Sequence, residues 1–303
     1  MPPVARVVGW RLSVAVCLCH AADPGLAIAA SVSDLSASAS AATESCGGKV
    51  PNVWCRVVVG LGSRESRYSE PDPQARVNPL DSELGTLRAT QIDVRWLGRF
   101  FGPLPVVALQ FGANKTQGVS SYRGYLQSGD ALTPYTSTTR NAYSSTGLRI
   151  GLPISGQNAS SKSPFVVLYA ELNRQRWRRN LDQYQEVFES KSSGLGASAT
   201  FFIPVAAQTA LSGIFLEVDG ALGRSTGSQI SASQLGFSSR LPERNNKRLA
   251  GSLSFRLTTG WSIGAQYTFF GSQFGASSSP ENIGYPGGSS RDRILLATLG
   301  YFY

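Results

Sequence analysis

Glu217 and Asp219 stand two residues apart, so an extended chain would place both carboxylates on one face, roughly 6.5 Å apart along the strand. Two carboxyl groups so placed could divide the acid and base roles of glycoside hydrolysis. In a narrow enclosure the same pair would instead be neutralised by arginine, because isolated buried charges are costly. Asp93, Arg95, Arg149, Glu171 and Arg256, with Arg56, recur at polar positions between apolar neighbours and supply both signs. Histidine, the usual proton carrier near neutral pH and the usual activator of serine or water, occurs once, at His20. The charged set therefore reads as a salt-bridged polar interior, and an enzyme, a bound metal or a cofactor is not expected.

Such residues need elements that present one polar and one apolar face. From about residue 54 onward, apolar residues alternate with polar ones in ten separate stretches, the period of β-strands with two unlike faces. Ile92, Val94 and Trp96 oppose Gln91, Asp93 and Arg95. Leu148, Ile150 and Leu152 oppose Arg149, and Leu168, Ala170 and Leu172 oppose Tyr169, Glu171 and Asn173. Ile214, Leu216 and Val218 oppose Glu217 and Asp219, and Leu253, Phe255 and Leu257 oppose Ser254 and Arg256. If the turn after Arg149 is centred near residue 159 or 160, Arg149 falls nearly opposite Glu171 on the next strand.

The connections between these stretches sort by length. Short ones, punctuated by Pro103, Pro153, Pro164, Pro204 and Gly260, alternate with long polar segments at about 65–86, 114–145, 174–190, 224–248 and 271–290. The chain ends Leu295-Leu296-Ala297-Thr298-Leu299-Gly300-Tyr301-Phe302-Tyr303, with Leu295, Ala297, Leu299, Tyr301 and Tyr303 on one face. This terminal strand resembles that of Gram-negative outer-membrane β-barrels, where alternating apolar residues and a final aromatic also address the barrel-assembly machinery. The resemblance implies an all-β, transmembrane, antiparallel up-and-down barrel of ten strands over residues 53–303. In hydrocarbon every backbone polar group must be paired within the protein, which a closed sheet achieves without helices. Trp96, Trp261, Tyr267, Tyr301 and Tyr303 would mark the membrane interfaces.

The remaining composition agrees with export. Arg6 and Arg11, the apolar run Leu12–Ala22, Pro24 and the small residues Ala27-Ile28-Ala29 read as a signal peptide over 1–29. Residues 30–52 form a Ser/Ala-rich periplasmic linker. Removing the signal takes away His20, so an exported chain would have no histidine at all. The omptin-like proteases, outer-membrane phospholipases and lipid A deacylases and acyltransferases are similar in relying on histidine, so the ten-stranded architecture fits while their active site does not. Cys46 and Cys55 would remain, and an oxidising compartment favours a disulfide between them.

The formal net charge is +9. Arg174, Arg176 and Arg178 share the outer face just beyond an apolar band, level with lipopolysaccharide phosphates, which guanidinium groups can grip bidentately. Arg244, Lys247 and Arg248 add positive charge before the eighth strand. Export argues against nucleic acid as a partner. The expected partners are outer-membrane lipid, lipopolysaccharide and the assembly machinery, and the expected state is a monomer. The role read from these features is a non-enzymatic barrel displaying long extracellular loops for surface interaction or envelope structure. The alternative is a narrow porin-like channel for ions or small solutes, lined by the inward charges.

Overall fold

The computed structural model describes residues 54–98, 105–128, 131–155, 164–182, 184–205, 210–242, 244–277 and 285–302. The expected signal peptide, the linker, Cys46 and the terminal Tyr303 lie outside the described residues, so a Cys46–Cys55 disulfide remains an expectation; Cys55 itself is buried at the start of the first strand.

Among the described residues eleven strands follow one another: β1 Trp54–Glu70, β2 Asp81–Gly98, β3 Val107–Ser128, β4 Ala131–Ser155, β5 Phe165–Leu181, β6 Tyr184–Pro204, β7 Leu211–Ala232, β8 Phe237–Leu241, β9 Asn245–Leu257, β10 Trp261–Phe274 and β11 Gly288–Phe302. Ten of them close a ring in which β1 pairs with β2 and β11, each later strand pairs with the next, β6 meets β7, and β7 meets β9. Every pairing is antiparallel. The short β8 pairs only with Ser228–Ala232 at the end of β7, behind a 3-10 turn at Ser233–Leu235.

The outward face carries the apolar residues picked out by alternation, and they lie open: Leu195 and Leu222 are 72% and 73% exposed, and Ile150, Leu152, Leu168, Leu253, Ile263 and Leu299 are exposed as well. An apolar surface of this extent around a closed sheet is stable only against lipid. Trp261 and Tyr301 pack edge to face, 5.0 Å between ring centroids, at the end that holds both Trp54 and Phe302. With an even number of strands in the ring, the start of β1 and the end of β11 both lie at this end, the periplasmic end in outer-membrane barrels.

The long polar segments expected as loops are mostly strand. β3 and β4 run to 22 and 25 residues, whereas about 9–11 residues cross a bilayer. Residues 114–128 and 131–145 pair continuously from Asn114↔Ser145 to Ser128↔Ala131. The physical reason is that above the membrane the outer face meets water and carries polar residues, while the inner face mixes buried polar and aromatic side chains. Apolar alternation disappears there although the backbone ladder continues. The result is a tall crown of hairpins above the lipid-facing band.

Candidate functional site

The inward face of the membrane-spanning segments gathers four guanidinium groups, Arg56, Arg95, Arg149 and Arg248, and four carboxylates, Asp93, Glu171, Glu217 and Asp219. Arg149 lies opposite Glu171 in the β4–β5 register, and its Nε donates to Glu171 Oε2 at 3.2 Å. Its Nη1 reaches Asp219 Oδ2 on β7 at 3.3 Å and Gln110 Oε1 on β3 at 2.9 Å. Arg248 on β9 donates to Asp219, to Glu171 Oε2 at 2.8 Å and to Tyr169 Oη at 2.9 Å. Tyr169 Oη donates in turn to Asp219 Oδ2 at 2.7 Å. Gly196 faces Tyr169 across the β5–β6 pair, where a Cβ would stand 2.4 Å from the phenol. The missing side chain lets the ring lie across the wall toward Asp219.

The decisive pair is Arg95–Glu217, whose Nη1 and Oε1 are 2.5 Å apart. β2 and β7 are five strands apart in either direction around the ring, so this ion pair spans the barrel's diameter. Arg95 Nε also donates to Asp93 Oδ1 at 2.8 Å, and Arg56 Nη2 donates to Ser254 Oγ at 3.3 Å across three strands. Equal numbers of opposite charges offset much of the layer's desolvation, although Arg56 Nε and Glu217 Oε2 are buried without a hydrogen-bond partner.

Below this layer, toward the termini, an aromatic floor crosses the bore. Phe202, Phe215 and Phe302 stack in a row with centroid separations of 4.7 and 5.0 Å. The guanidinium groups of Arg56 and Arg256 lie 4.8 and 4.7 Å from the Phe302 ring centroid. Arg256 faces inward and belongs to the floor, whereas Asp93, Arg95, Arg149, Glu171, Glu217 and Asp219 share the ionic layer.

Above the layer is a chamber of about 180 Å³ lined by polar groups such as Gln91, Asn114, Asn173 and Gln266. The chamber is roofed, beyond the apolar band, by Tyr68, Tyr143, Trp177, Phe188, Ile230 and Tyr285. Tyr143 stacks on Trp177 at 5.2 Å and Trp177 on Phe188 at 4.6 Å. Arg64, which donates to Asp292 at 2.7 Å, lies 3.7 Å from the Tyr143 ring centroid. Arg179 is buried in the roof and pairs with Glu83, with Glu186 at 2.7 Å and with Glu70 at 3.5 Å. Burial pushes the Glu70 carboxyl up to about 8; Arg179 opposes this, while Asp81 and Glu186 reinforce it.

Tyr169 stands on the polar face of its strand in the sequence, beside Glu171, whereas Arg248, Arg179 and the aromatic floor carry no such signal. Arg248 was expected among loop charges, yet it lies one residue before the outward Leu249 and hence faces inward. On the outer wall Arg174 and Arg176 are exposed, while Arg178 is half-buried. Glu189 on β6 holds Arg176 at 3.3 Å and Arg174 at 4.0 Å, so part of this patch is neutralised.

This fold and its lipid-facing wall define an outer-membrane β-barrel of the ten-stranded class. Neither a known family model nor a curated protein matches the sequence. Among solved structures, the outer membrane protease OmpT from Escherichia coli superposes with a TM-score of 0.51 at 8% identity, over 83% of this chain and 96% of that one. The translocator domain of the autotransporter NalP from Neisseria meningitidis gives a TM-score of 0.36 at 11% identity, over 89% and 95% of the two chains. At such identity the OmpT likeness is one of fold, and the looser second match adds nothing to it.

Proposed function

We propose that this chain is a non-enzymatic outer-membrane barrel with a sealed bore, whose working surface is the crown of hairpins above the membrane. The observation that carries this reading is the Arg95–Glu217 pair across the diameter, between an aromatic floor and an aromatic roof. Side chains that cross the bore at three heights support a closed route, and with it a working surface outside the bore. The β3–β4 hairpin, rich in Ser, Thr and Tyr on both faces, is the longest element of that surface; tyrosine and small polar groups suit adaptable recognition.

Removal of residues 1–29 on export would leave the chain without histidine, which supports the non-enzymatic reading. The carboxylates that could act as acid and base, Glu217 and Asp219, are each engaged by arginine. A narrow channel is the second reading, favoured by the polar chamber of about 180 Å³. Cells displaying the full chain are compared with cells whose chain lacks residues 119–140, on arrays of glycans and matrix proteins. Binding that disappears with the hairpin, at equal surface amounts of folded barrel, is expected. Equal binding by both would refute the crown as the working surface.

A further inference from the structure

A second basic surface lies on the outer wall, away from Arg174 and Arg176. Two adjacent rows cross β9, β10, β11 and β1: Leu249, Phe269, Arg293 and Glu65 in the lower, and Lys247, Gly271, Arg291 and Arg67 in the upper. Glu65, Arg67, Lys247, Phe269, Arg291 and Arg293 together line a groove. Immediately below lie Tyr267 and Leu295, both exposed, which belong to the lipid-facing band.

The groove carries four cations and one carboxylate. Glu65 Oε1 takes Arg67 at 2.6 Å and Glu65 Oε2 takes Arg293 at 3.7 Å, which leaves a surplus of three positive charges. Arg67 and Arg291 are direct cross-strand partners. Like charges placed opposite each other destabilise a sheet, and neither the fold nor Glu65 relieves this pair in full. Gly271 stands between Lys247 and Arg291, and a Cβ there would lie 3.3 Å from Lys247 Cε, so the missing side chain keeps the groove open between these two cations.

The geometry points to this groove as a clamp for the phosphorylated headgroup of an outer-leaflet glycolipid. The phosphates meet Arg67, Arg291, Arg293 and Lys247 in charge-assisted hydrogen bonds, and the acyl chains descend along Tyr267, Leu295 and Leu249. The assignment rests on the outer-membrane placement and is independent of whether the bore is sealed.

The full chain is purified from outer membranes, exchanged into detergent and titrated with bis-phosphorylated lipid A, its dephosphorylated form and inorganic phosphate, with native mass spectrometry as the readout. One bis-phosphorylated lipid per barrel is expected, with both Arg67→Glu/Arg291→Glu and removal of the phosphates weakening binding by at least about tenfold. The milder Arg67→Gln/Arg291→Gln, checked for folding by heat-sensitive gel mobility, covers a failure of the charge reversal to assemble. Equal binding of the dephosphorylated lipid, undiminished binding by folded groove variants, or inorganic phosphate competing as well as the lipid would overturn the assignment.

Discussion

Replacing Asp219 by alanine removes the acceptor on which three donors of the ionic layer converge. Arg248, Arg149 Nη1 at 3.3 Å and Tyr169 Oη at 2.7 Å all lose a partner, and four guanidinium groups are left with three carboxylates. Stripping one partner from a buried ion pair costs about 3–5 kcal/mol. The Arg149 and Arg248 side chains keep 17% and 16% exposure toward the chamber, and Glu171 still serves both, so the expected loss is at the lower end, about 3 kcal/mol. Asp219→Asn preserves the shape and an acceptor for Tyr169 but removes the charge assistance, and should cost about 1–2 kcal/mol. The assay is urea unfolding of the full chain in lipid vesicles, followed by tryptophan fluorescence. Adding Arg248→Met to Asp219→Ala restores the balance of charges, so the double variant should be more stable than additivity predicts by more than about 1 kcal/mol. A loss below about 0.5 kcal/mol for Asp219→Ala, or strict additivity in the double variant, would refute the reading of a structural ionic layer.

Three further outcomes follow from the same geometry. Glu70, outside the membrane, is held up to about 8 by burial, against an ordinary value of 4.5. Its folded state therefore keeps a proton that the unfolded state releases between about pH 4.5 and 8, and the stability this confers is lost as pH rises through that window. Protease cleavage of the crown should increase from pH 5 to pH 8, and Glu70→Gln should flatten the dependence; a crown more resistant at pH 8 contradicts the sign. Ile150→Arg, on the lipid face, should cost about 2–4 kcal/mol by vesicle unfolding, whereas Thr138→Arg on the crown's outer face should cost almost nothing; equal costs would deny the membrane boundary. Gly196→Val should drive a side chain into Tyr169 and destabilise the barrel by about 1–3 kcal/mol in vesicle unfolding; an unchanged stability would deny the close approach.

Where one face meets lipid and the other a polar interior, the sequence carries the fold openly. Ile150 out and Arg149 in, or Leu172 out and Glu171 in, are legible one residue at a time, and the Arg149–Glu171 pair follows from the length of one hairpin. Above the membrane this contrast ends. Ser120, Thr139 and Asn141 are buried inside the crown, yet the outward Thr138 and Arg140 beside them are just as polar, so the segment reads as loop. Arg248 and Arg179 were obscure for the same reason: each lies near the limit of the apolar pattern, and only strand parity carried beyond it places them inside. The floor was hidden differently. Phe302 lies between Tyr301 and Tyr303, so three successive aromatics blur the alternation that would have set it inward. The cross-lumen meeting of Arg95 with Glu217 required the closure of the ring, which no local pattern in the chain encodes.

Planar-bilayer recording of the full chain purified from outer membranes tests the sealed bore most directly. No conductance steps are expected at either polarity from barrel whose folding is verified by heat-sensitive gel mobility. Stable, ion-selective steps that change on Arg149→Ala or Glu171→Ala would contradict the sealed bore and make the ionic layer the constriction of a channel.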